Sequence, residues 1–475
     1  MNQSAPRFAL TLALLTACRL PDDPIATRLP SVSSGGSASM GGSASTGGSA
    51  STGGAGSSGD VCTGFSPTIS MATASGSRQD TCAGWLARRA FSHAICSCAD
   101  LDVFAVLASN ALDSSTQGTE EEEEVEEKER KGAAIGVNGN YGGGEYVRVD
   151  GSFTVSGVGE MASRGGIDVA GDLRLSAVAS AAGPIFVGRD AWLLGATSSM
   201  SLATVGRDLH LGPSGSLAAS GATIALGKTS HDSFEIAPPC ECAEEKLIDI
   251  GGIVAQGMSQ NDNGRLGLGL DALSEVVRPT QLTLGCGRFA LQKISGEAAI
   301  ALHIAGRVVL VVDGDVDAGR RFSLELAPGA ALDLFIRGNL SVSGESLIGD
   351  NTRPAATRVY VLGAGDIALP GTARFSANLY APHAKVTVLA LGDVYGAAFG
   401  ASITSLGPLL SHYDRAVLQA DADCGVSPPS QCNACDQCGA GKTCVAGACA
   451  TCATDDDCCF PLVCQEGACQ PLGKD

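Results

Sequence analysis

Aromatic residues are scarce in this sequence. They make up only 4% of the chain, whereas glycine accounts for 63 of its 475 residues. A large core anchored by aromatic side chains is therefore disfavoured, and thin stacked layers of small side chains joined by tight turns are favoured. Basic residues are also few: 31 Lys and Arg stand against 50 Asp and Glu, which gives a net charge of −19. This charge argues against nucleic acid or an anionic lipid surface as a partner.

Long apolar runs and paired histidines are absent as well. The most apolar stretch, residues 300–312, is interrupted by His303, Gly306 and Arg307, so we do not expect it to span a membrane. No two histidines have the spacing of paired metal ligands, and no cofactor is predicted. We expect every histidine to be a surface or turn residue: His93, His210, His231, His303, His383 and His412.

The N-terminus is typical of a targeting segment. Arg7 precedes a short apolar stretch over residues 8–17, which ends in Leu15-Thr16-Ala17-Cys18. This ending resembles the lipobox of bacterial lipoproteins, and the resemblance implies lipidation of Cys18. An ordinary signal peptide with a chance cysteine is the alternative. Arg19 stands where the inner-membrane retention signal has aspartate, so the resemblance implies a lipid anchor in the outer membrane and a position at the cell surface or outside the cell.

Two later segments have compositions that cannot form a core. Residues 31–59 consist almost wholly of Ser, Gly, Ala and Thr, which predicts a flexible tether with a reach of about 30 Å. Residues 120–129 contain eight glutamates, which predicts a solvated acidic loop. Cation binding by this block is the alternative.

Cysteines indicate an oxidising compartment. Without Cys18 an even number of 18 remains, and ten of these crowd into residues 432–469. The sequence does not determine their pairing. The candidates for disulfide bonds are Cys62, Cys82, Cys96, Cys98, Cys240, Cys242, Cys286, Cys424, Cys432, Cys435, Cys438, Cys444, Cys449, Cys452, Cys458, Cys459, Cys464 and Cys469.

A loose repeat begins near Ala133. Short alternating apolar runs follow a glycine in VDGSFTV, VAGDLRL, VGRDAWL and VGRDLHL, and these glycines are 17 to 20 residues apart. Such a period predicts a mainly β fold, a parallel β-solenoid of about 14 coils and about 65 Å. An array of β-sandwiches is the rival. The segment before the repeat, residues 81–112, shows helical spacing at Trp85 and Val103 with Asp100 or Asp102 as a cap, although CSCADLDVF also suits the opening strand of a solenoid.

Several stretches resemble a known type of domain. They are AICSCADLD (94–102), PPCECAEEKLIDIGGIV (238–254), NDN (261–263), LTLGCGRFAL (282–291), GAALDLFIRGNL (329–340), ANLYAPHAKVTV (377–388), GDVYGAAFG (392–400) and SHYDRAV (411–417). Together they resemble an uncharacterised β-solenoid domain of secreted bacterial surface proteins, akin to the adhesin-like choice-of-anchor type. The resemblance spans residues 60–424 and implies a fold and a surface location, without a reaction.

The end of the chain is similar to small extracellular modules of the knottin type. Its C-x2-C spacings also suit zinc, but the segment contains no histidine, so disulfides are favoured. Gly441-Lys442-Thr443 lacks the leading glycine of a phosphate-binding loop, because Asp436 occupies that position.

Carboxylates are the remaining candidates for chemistry. Asp313, Asp315 and Asp317 alternate, so on a strand they would share one face and could hold Ca²⁺ or act on a sugar. A turn at Gly314, in which the aspartates act as caps, is favoured over both roles. Asp262, between two asparagines in the NDN stretch, is a second Ca²⁺ candidate.

The histidine-containing segment His412-Tyr413-Asp414 favours a buried hydrogen-bonded closing motif over a catalytic trio, because neighbouring strand residues point to opposite faces. No catalytic residue is therefore predicted.

Together these features predict four parts: a lipoprotein signal peptide (1–17), a Ser/Gly-rich disordered tether (18–59), a β-solenoid domain (60–424, with an acidic loop at 118–132) and a Cys-rich module (425–475). We expect a lipid-anchored surface protein with a structural, adhesive or binding role. Its expected partners are the membrane, through the lipid, and a glycan or another envelope protein. A carbohydrate-active enzyme on a β-helix and a Ca²⁺-dependent binding module are the alternatives.

Overall fold

The computed structural model describes residues 67–72, 78–115, 132–318, 321–342, 346–370, 374–389, 392–420, 443–445, 448–450, 452, 458, 462–465 and 468–471. The predicted signal peptide, Cys18, the tether and the acidic loop up to residue 131 lie outside these residues. So do Cys62, Cys424, Cys432, Cys435, Cys438 and Cys459.

Strands dominate the described chain. Two antiparallel strands and a helix come first: β1 Ile69–Ala72, β2 Arg78–Thr81 and α1 Ala83–Ala90. The first half of the solenoid follows: β3 Ile95–Ser97, β4 Leu101–Val103, β5 Leu107–Leu112, β6 Ile135–Val137, β7 Tyr141–Gly142, β8 Val147–Val149, β9 Phe153–Val155, β10 Met161–Ser163, β11 Ile167–Val169, β12 Leu173–Leu175, β13 Ala179–Ala181, β14 Ile185–Val187, β15 Ala191–Leu193, β16 Ala196–Ser199, β17 Ala203–Val205, β18 Leu209–Leu211, β19 Ser216–Ala219, β20 Thr223–Ala225 and β21 Thr229–His231.

A return segment, residues 232–279, connects the two halves. It carries a 3-10 turn Glu244–Lys246 and the helices α2 Ile250–Ser259 and α3 Asn263–Leu266. The second half contains β22 Thr280–Leu284, β23 Gly287–Leu291, β24 Ile300–Ile304, β25 Arg307–Val312, β26 Val316–Ala318, β27 Phe322–Leu326, β28 Ala331–Ile336, β29 Leu340–Val342, β30 Leu347–Gly349, β31 Thr357–Val361, β32 Ile367–Leu369, β33 Arg374–Ser376, β34 Asn378–Val388, β35 Gly392–Tyr395, β36 Ala398–Ser405 and β37 Leu409–Asp414, with 3-10 turns Pro354–Ala356 and Arg415–Leu418. The Cys-rich tail has two antiparallel pairs, β38 Thr443–Val445 with β39 Ala448–Ala450, and β40 Leu462–Gln465 with β41 Ala468–Pro471.

Each full coil of the solenoid passes through three faces. In the coil β12–β13–β14, for example, β12 belongs to face 1, β13 to face 2 and β14 to face 3, and each strand pairs in parallel with the matching strand of the next coil. Face 3 is a continuous sheet of 13 strands, and face 1 runs through the same number of rungs. The parallel β-solenoid predicted from the repeat is therefore confirmed. Thirteen rungs at ~4.8 Å give a rod about 58 Å long.

The coils do not stack in the order of the chain. Along face 3 the strands follow the order β20, β17, β14, β11, β8, β5, β37, β35, β33, β30, β27, β24, β22. The first half thus begins in the middle of the rod and grows to one end, and the second half begins at the other end and grows back to the middle. The two halves meet where β37 pairs with β5 and where β36 pairs with β3 and β4. We call this junction, which has no covalent link along the sheets, the seam.

The return segment runs along face 1 from one end of the rod to the other. It is disulfide-bonded to the seam coil by Cys96–Cys240 and Cys98–Cys242. Farther on, α2 contacts β25, β28 and β23. Face 1 of the second half is therefore buried on both sides, which explains why β25 continues after Arg307 with the apolar run VVLVV, whereas strands of the first half alternate.

The segment before the repeat is a correction to the sequence analysis. Helical spacing is right for Trp85, which lies in α1, but wrong for Val103, which lies in β4. Asp100 and Asp102 cap no helix. Asp100 instead accepts a hydrogen bond at 2.7 Å from the backbone N–H of Asn140 in the next coil. The solenoid thus begins at β3, well before Ala133.

Among the described residues, no helix combines the length and the apolar composition that a membrane span requires.

The two disulfides at the seam predict a non-additive loss of stability. Both close nearly the same loop, with a sequence separation of 144 residues in each case. If Cys98 and Cys242 are both changed to Ala, the other bond still closes the loop, so the cost should be at most about 2 kcal/mol. Removing both bonds should cost about 5 kcal/mol or more in the chain-entropy description. Urea unfolding followed by circular dichroism measures both values, and equal costs for the two variants would contradict this account.

Candidate functional site

The Gly-Asp motifs of the first half form a ladder of hydrogen bonds at the corner between face 3 and face 1. Asp172 Oδ1 accepts from the backbone N–H of Asp190 at 3.3 Å, and Asp190 Oδ1 accepts from that of Asp208 at 2.8 Å. Asp208 Oδ1 in turn accepts from Lys228 at 2.7 Å. Each carboxylate therefore accepts a hydrogen bond from the backbone of the next coil, so the repeated aspartates stabilise the stacking of the coils.

Glycine precedes these aspartates because the coils approach closely at this corner. A Cβ at Gly206 would overlap the carbonyl oxygen of Gly188 in the coil below, and one at Gly188 would overlap that of Ala170. The motif Gly-Arg-Asp thus combines a close backbone approach with a side-chain bond to the next coil.

The aspartates proposed for Ca²⁺ or sugar chemistry lie at another corner. Asp315 Oδ1 accepts from the backbone N–H of Asn339 at 2.7 Å, and Asp313 forms an ion pair with Arg337. Asp317 lies apart from them in β26. The interpretation in which three aspartates share one strand face is therefore wrong, and the turn at Gly314 is what the structure shows.

The oxygen-rich segment Asn261-Asp262-Asn263 fastens the return segment to β23. Asp262 Oδ2 accepts from the backbone N–H of Arg288 at 2.8 Å. The buried amide of Asn263 both donates to and accepts from the backbone of Ala290, at 2.7 and 3.0 Å. These oxygens are engaged in structural hydrogen bonds.

Ligand-like side chains converge at one place in the described part of the chain. Cys452, Cys458 and Cys464 are the only group of three or more His, Cys, Asp or Glu residues there whose ligand atoms lie within 4.8 Å of one another. All three are disulfide-bonded, and Cys452 pairs with Cys464. Disulfide-bonded sulfur has no thiolate to offer a metal, so this group stabilises the tail. Cys82 and Cys286 are also disulfide-bonded.

An aromatic stack lies on the outer side of face 1 in the first half. The Arg174 guanidinium lies 4.5 Å from the centre of the Trp192 ring, and His210 stacks on Trp192 at 4.9 Å with an interplanar angle of 8°. His210 Nδ1 is also 3.1 Å from Ser230 Oγ. One neighbour thus covers each face of the indole ring, so the stack joins successive coils and leaves no free indole face for a sugar ring.

A second core lies between face 1 and the return segment. Asp333 and Arg358 form a buried bidentate ion pair there, at 2.6 and 2.8 Å. Burial by itself lowers the pKa of Arg358, but the adjacent Asp333 carboxylate outweighs this and raises it. Burial also raises the pKa of Tyr360, and it raises that of Tyr380, whose hydroxyl accepts from Ile248 N–H, to about 12. These groups are sealed from solvent, so they stabilise the attachment of the return segment.

The segment His412-Tyr413-Asp414 closes the seam. The Tyr413 hydroxyl donates to the Phe91 carbonyl at 2.7 Å, and His412 Nδ1 lies 2.9 Å from Asn110 Oδ1. The hydrogen-bonded closing motif expected from the sequence is what the structure shows.

Asp414 collects donors from three separate segments. Its carboxylate accepts from Ser114 through both N–H and hydroxyl, from Ala355 N–H at 2.9 Å and from Ala416 N–H at 3.1 Å. Burial raises the pKa of Asp414, and these four donors oppose that shift.

His93 lies beside the seam, between α1 and β3. Of the two placements expected for the histidines, surface or turn, His93 has the second: it lies in a bend and is only 4% exposed. Burial lowers its pKa from 6.5 to about 4, so the ring is neutral at pH 7. Its Nδ1 lies 2.9 Å from Ser92 Oγ.

An apolar ridge crosses the seam on the solvent side. Leu406 and Phe104 directly follow the paired residues Ser405 and Val103, and they are 55% and 65% exposed. The sequence pattern does not predict that Leu406 and Phe104 lie close together, because the chain between them forms almost the whole solenoid. Only the non-sequential stacking order makes them neighbours.

We predict that Asp414→Ala lowers the stability of the seam. Three backbone N–H groups and the Ser114 hydroxyl would lose their buried acceptor, so the cost should be about 3 kcal/mol or more. Asp393, on the neighbouring strand β35, is an exposed carboxylate, and Asp393→Ala should cost less than about 0.5 kcal/mol. Urea unfolding of the two variants measures the difference, and equal costs would contradict the role given to Asp414.

We predict that His93 makes the protein less stable in mild acid. Its pKa is about 6.5 in the unfolded chain and about 4 in the folded one, so the unfolded state binds the proton first. The contribution of neutral, buried His93 to the free energy of unfolding is complete above pH 6.5. The free energy of unfolding should fall by about 3 kcal/mol as the pH drops to 4. His93→Gln should remove this part of the pH dependence, whereas His231→Gln, at an exposed histidine, should preserve it. Unfolding curves between pH 7 and pH 4 test this, and identical slopes for His93→Gln and the unchanged protein would contradict it.

Part of the chain matches a protein family. Residues 246–420 match the model of a Domain of unknown function (DUF7305). The matched span contains α2, the second half of the solenoid and the seam strands β36 and β37. No curated protein and no solved structure matches the chain. This part of the chain is therefore similar to a family of unknown function, and its likeness to adhesin-like choice-of-anchor domains stays a prediction.

Proposed function

We propose that this protein is an exported lipoprotein that presents a rigid β-solenoid at the cell surface, in a structural or binding role. The observation that carries the proposal is the pair of disulfides Cys96–Cys240 and Cys98–Cys242, which bind the return segment to the seam. Such bonds form and persist in oxidising compartments outside the cytoplasm.

The N-terminal sequence supports a lipid anchor. Leu15-Thr16-Ala17-Cys18 resembles a lipobox, and the Ser/Gly-rich segment that follows has the composition of a spacer. A lipid followed by a spacer would let the solenoid stand clear of the membrane. Arg19 favours the outer membrane over the inner one.

The uses of the polar side chains favour a scaffold over an enzyme. Asp315, on which the carbohydrate-active alternative depended, holds a backbone N–H of the next coil, and Asp313 is paired with Arg337. Asp262 and Asn263, on which the Ca²⁺ alternative depended, hold backbone groups of β23. These four side chains therefore form contacts that hold parts of the rod together.

The anchor is tested by Cys18→Ser. In a two-membrane bacterial host fed an alkyne-tagged fatty acid, the unchanged protein should take up the label and fractionate with the outer membrane. Cys18→Ser should take up none and be released in soluble form or stay unprocessed, because the acylated sulfur is missing. Arg19→Asp is the matched control: it should keep the label and move to the inner membrane. A labelled and processed Cys18→Ser chain in the outer membrane would contradict the proposal.

A further inference from the structure

The two ends of the solenoid differ. At the end formed by the second half, residues 268–278 lie across the core and close it. Leu273 is 1% exposed, its carbonyl accepts from Ser295 N–H at 2.9 Å, and Val276 N–H donates to Ser295 at 2.8 Å. We call these residues the end cap.

The other end, formed by β19, β20 and β21, has no such cover among the described residues. Thr223 stands in register with Ala203, and Thr229 with Leu209. Ala203 and Leu209 are buried in the core, whereas both threonines are exposed. On the same coil Leu226 is 71% exposed. The cross-section of the core therefore faces outward at this end, which we call the open end.

Backbone groups also point outward there. The residues on either side of β21, Lys228 and Asp232, form hydrogen bonds with the preceding coil. The Lys228 carbonyl accepts from Leu209 N–H, and Asp232 N–H donates to the Leu211 carbonyl. Because backbone groups alternate in direction along a strand, those of Thr229 and His231 point away from that coil. No strand of the described chain pairs with β21 on this side. Such an edge is a template for another strand.

We propose that the open end binds the open end of a second copy of this chain and forms a closed two-fold dimer. The seam shows that coils of this protein hold together by edge pairing and core contact without a covalent link, since β37 pairs with β5 over six residues. The open end continues the same sheets that cross the seam.

Charge and geometry favour a second copy of this chain as the partner at the open end. Residues 212–232 contain one lysine, Lys228, and one aspartate, Asp232, so the open end is neutral although the chain carries −19. Two copies can therefore approach at this end with little repulsion. Of the two ends formed by the described strands only this one is open, and a contact between identical surfaces closes after two copies, so a dimer forms and not a fibre.

The proposal is tested on the full chain in a non-ionic detergent. Native mass spectrometry across a concentration series should show a dimer. In the double variant Thr223→Lys/Thr229→Lys, long charged side chains would project from the open end of each copy, and the dissociation constant should rise at least tenfold. Both threonines are exposed, so at a concentration where the unchanged protein is monomeric the two proteins should have the same melting temperature.

The matched control adds the same charge elsewhere. Ser180 and Thr204 are the central residues of β13 and β17 and lie on the outer side of the rod. Ser180→Lys/Thr204→Lys should leave the dissociation constant within about twofold. A chain that stays monomeric at all concentrations, or a dimer that both double variants weaken equally, would overturn the proposal.

Crosslinking identifies the occupant of the open end. In a mixture of 14N- and 15N-labelled chains, an amine-reactive crosslinker should join Lys228 of one copy to Lys228 of another. Crosslinks from Lys228 to Lys293, near the capped end, would indicate a head-to-tail contact. Crosslinks within one copy from Lys228 to Lys128 or Lys131 would show that the acidic segment of the same chain, residues 118–132, occupies the open end. Either of these last two results would overturn the proposal.

Discussion

Pairing of the first and last coils of the solenoid across the seam is the interaction on which the whole rod depends. β5 and β37 are joined by backbone hydrogen bonds and by the shared core, with Leu107 in register with Leu409. The polypeptide itself connects the two halves only by the long return segment. Asp414, Tyr413 and the two disulfides all lie at this junction, so side-chain hydrogen bonds and covalent bonds reinforce the place where the sheets lack a covalent continuation.

The return segment explains why the two halves have different sequences. In the first half the outer side of face 1 carries Arg174, Trp192 and His210, which satisfy one another in a stack at the surface. In the second half the same side carries Val309 and Phe335, which are buried under α2. The period of the repeat is obscured in the second half because strands that are buried on both sides lose the alternation of apolar and polar residues.

Much of this fold can be predicted from the sequence. The glycine-led period in the first half predicts parallel coils, and the spacing of Gly188 and Gly206 matches one coil. The turn at Gly314 and the closing role of residues 412–414 are also predictable, because each depends on local geometry. The order in which the coils stack is not, since the pairing of Ser405 with Val103 depends on contacts between residues about 300 positions apart. The burial of His93, in the turn between α1 and β3, likewise has no signal in the residue's neighbours in sequence.

The seam also fixes an order of events during synthesis. Asn110 and His412, which meet across the seam, are 302 residues apart. At ~5–20 residues per second, about 15 to 60 s pass between the synthesis of these two residues. During that interval the first coil of the solenoid has an exposed edge on the side that β37 will later occupy. Until the C-terminal half is present this edge lacks its partner, so a chaperone or any other strand that reaches the first coil sooner competes directly with the protein's own C-terminal half.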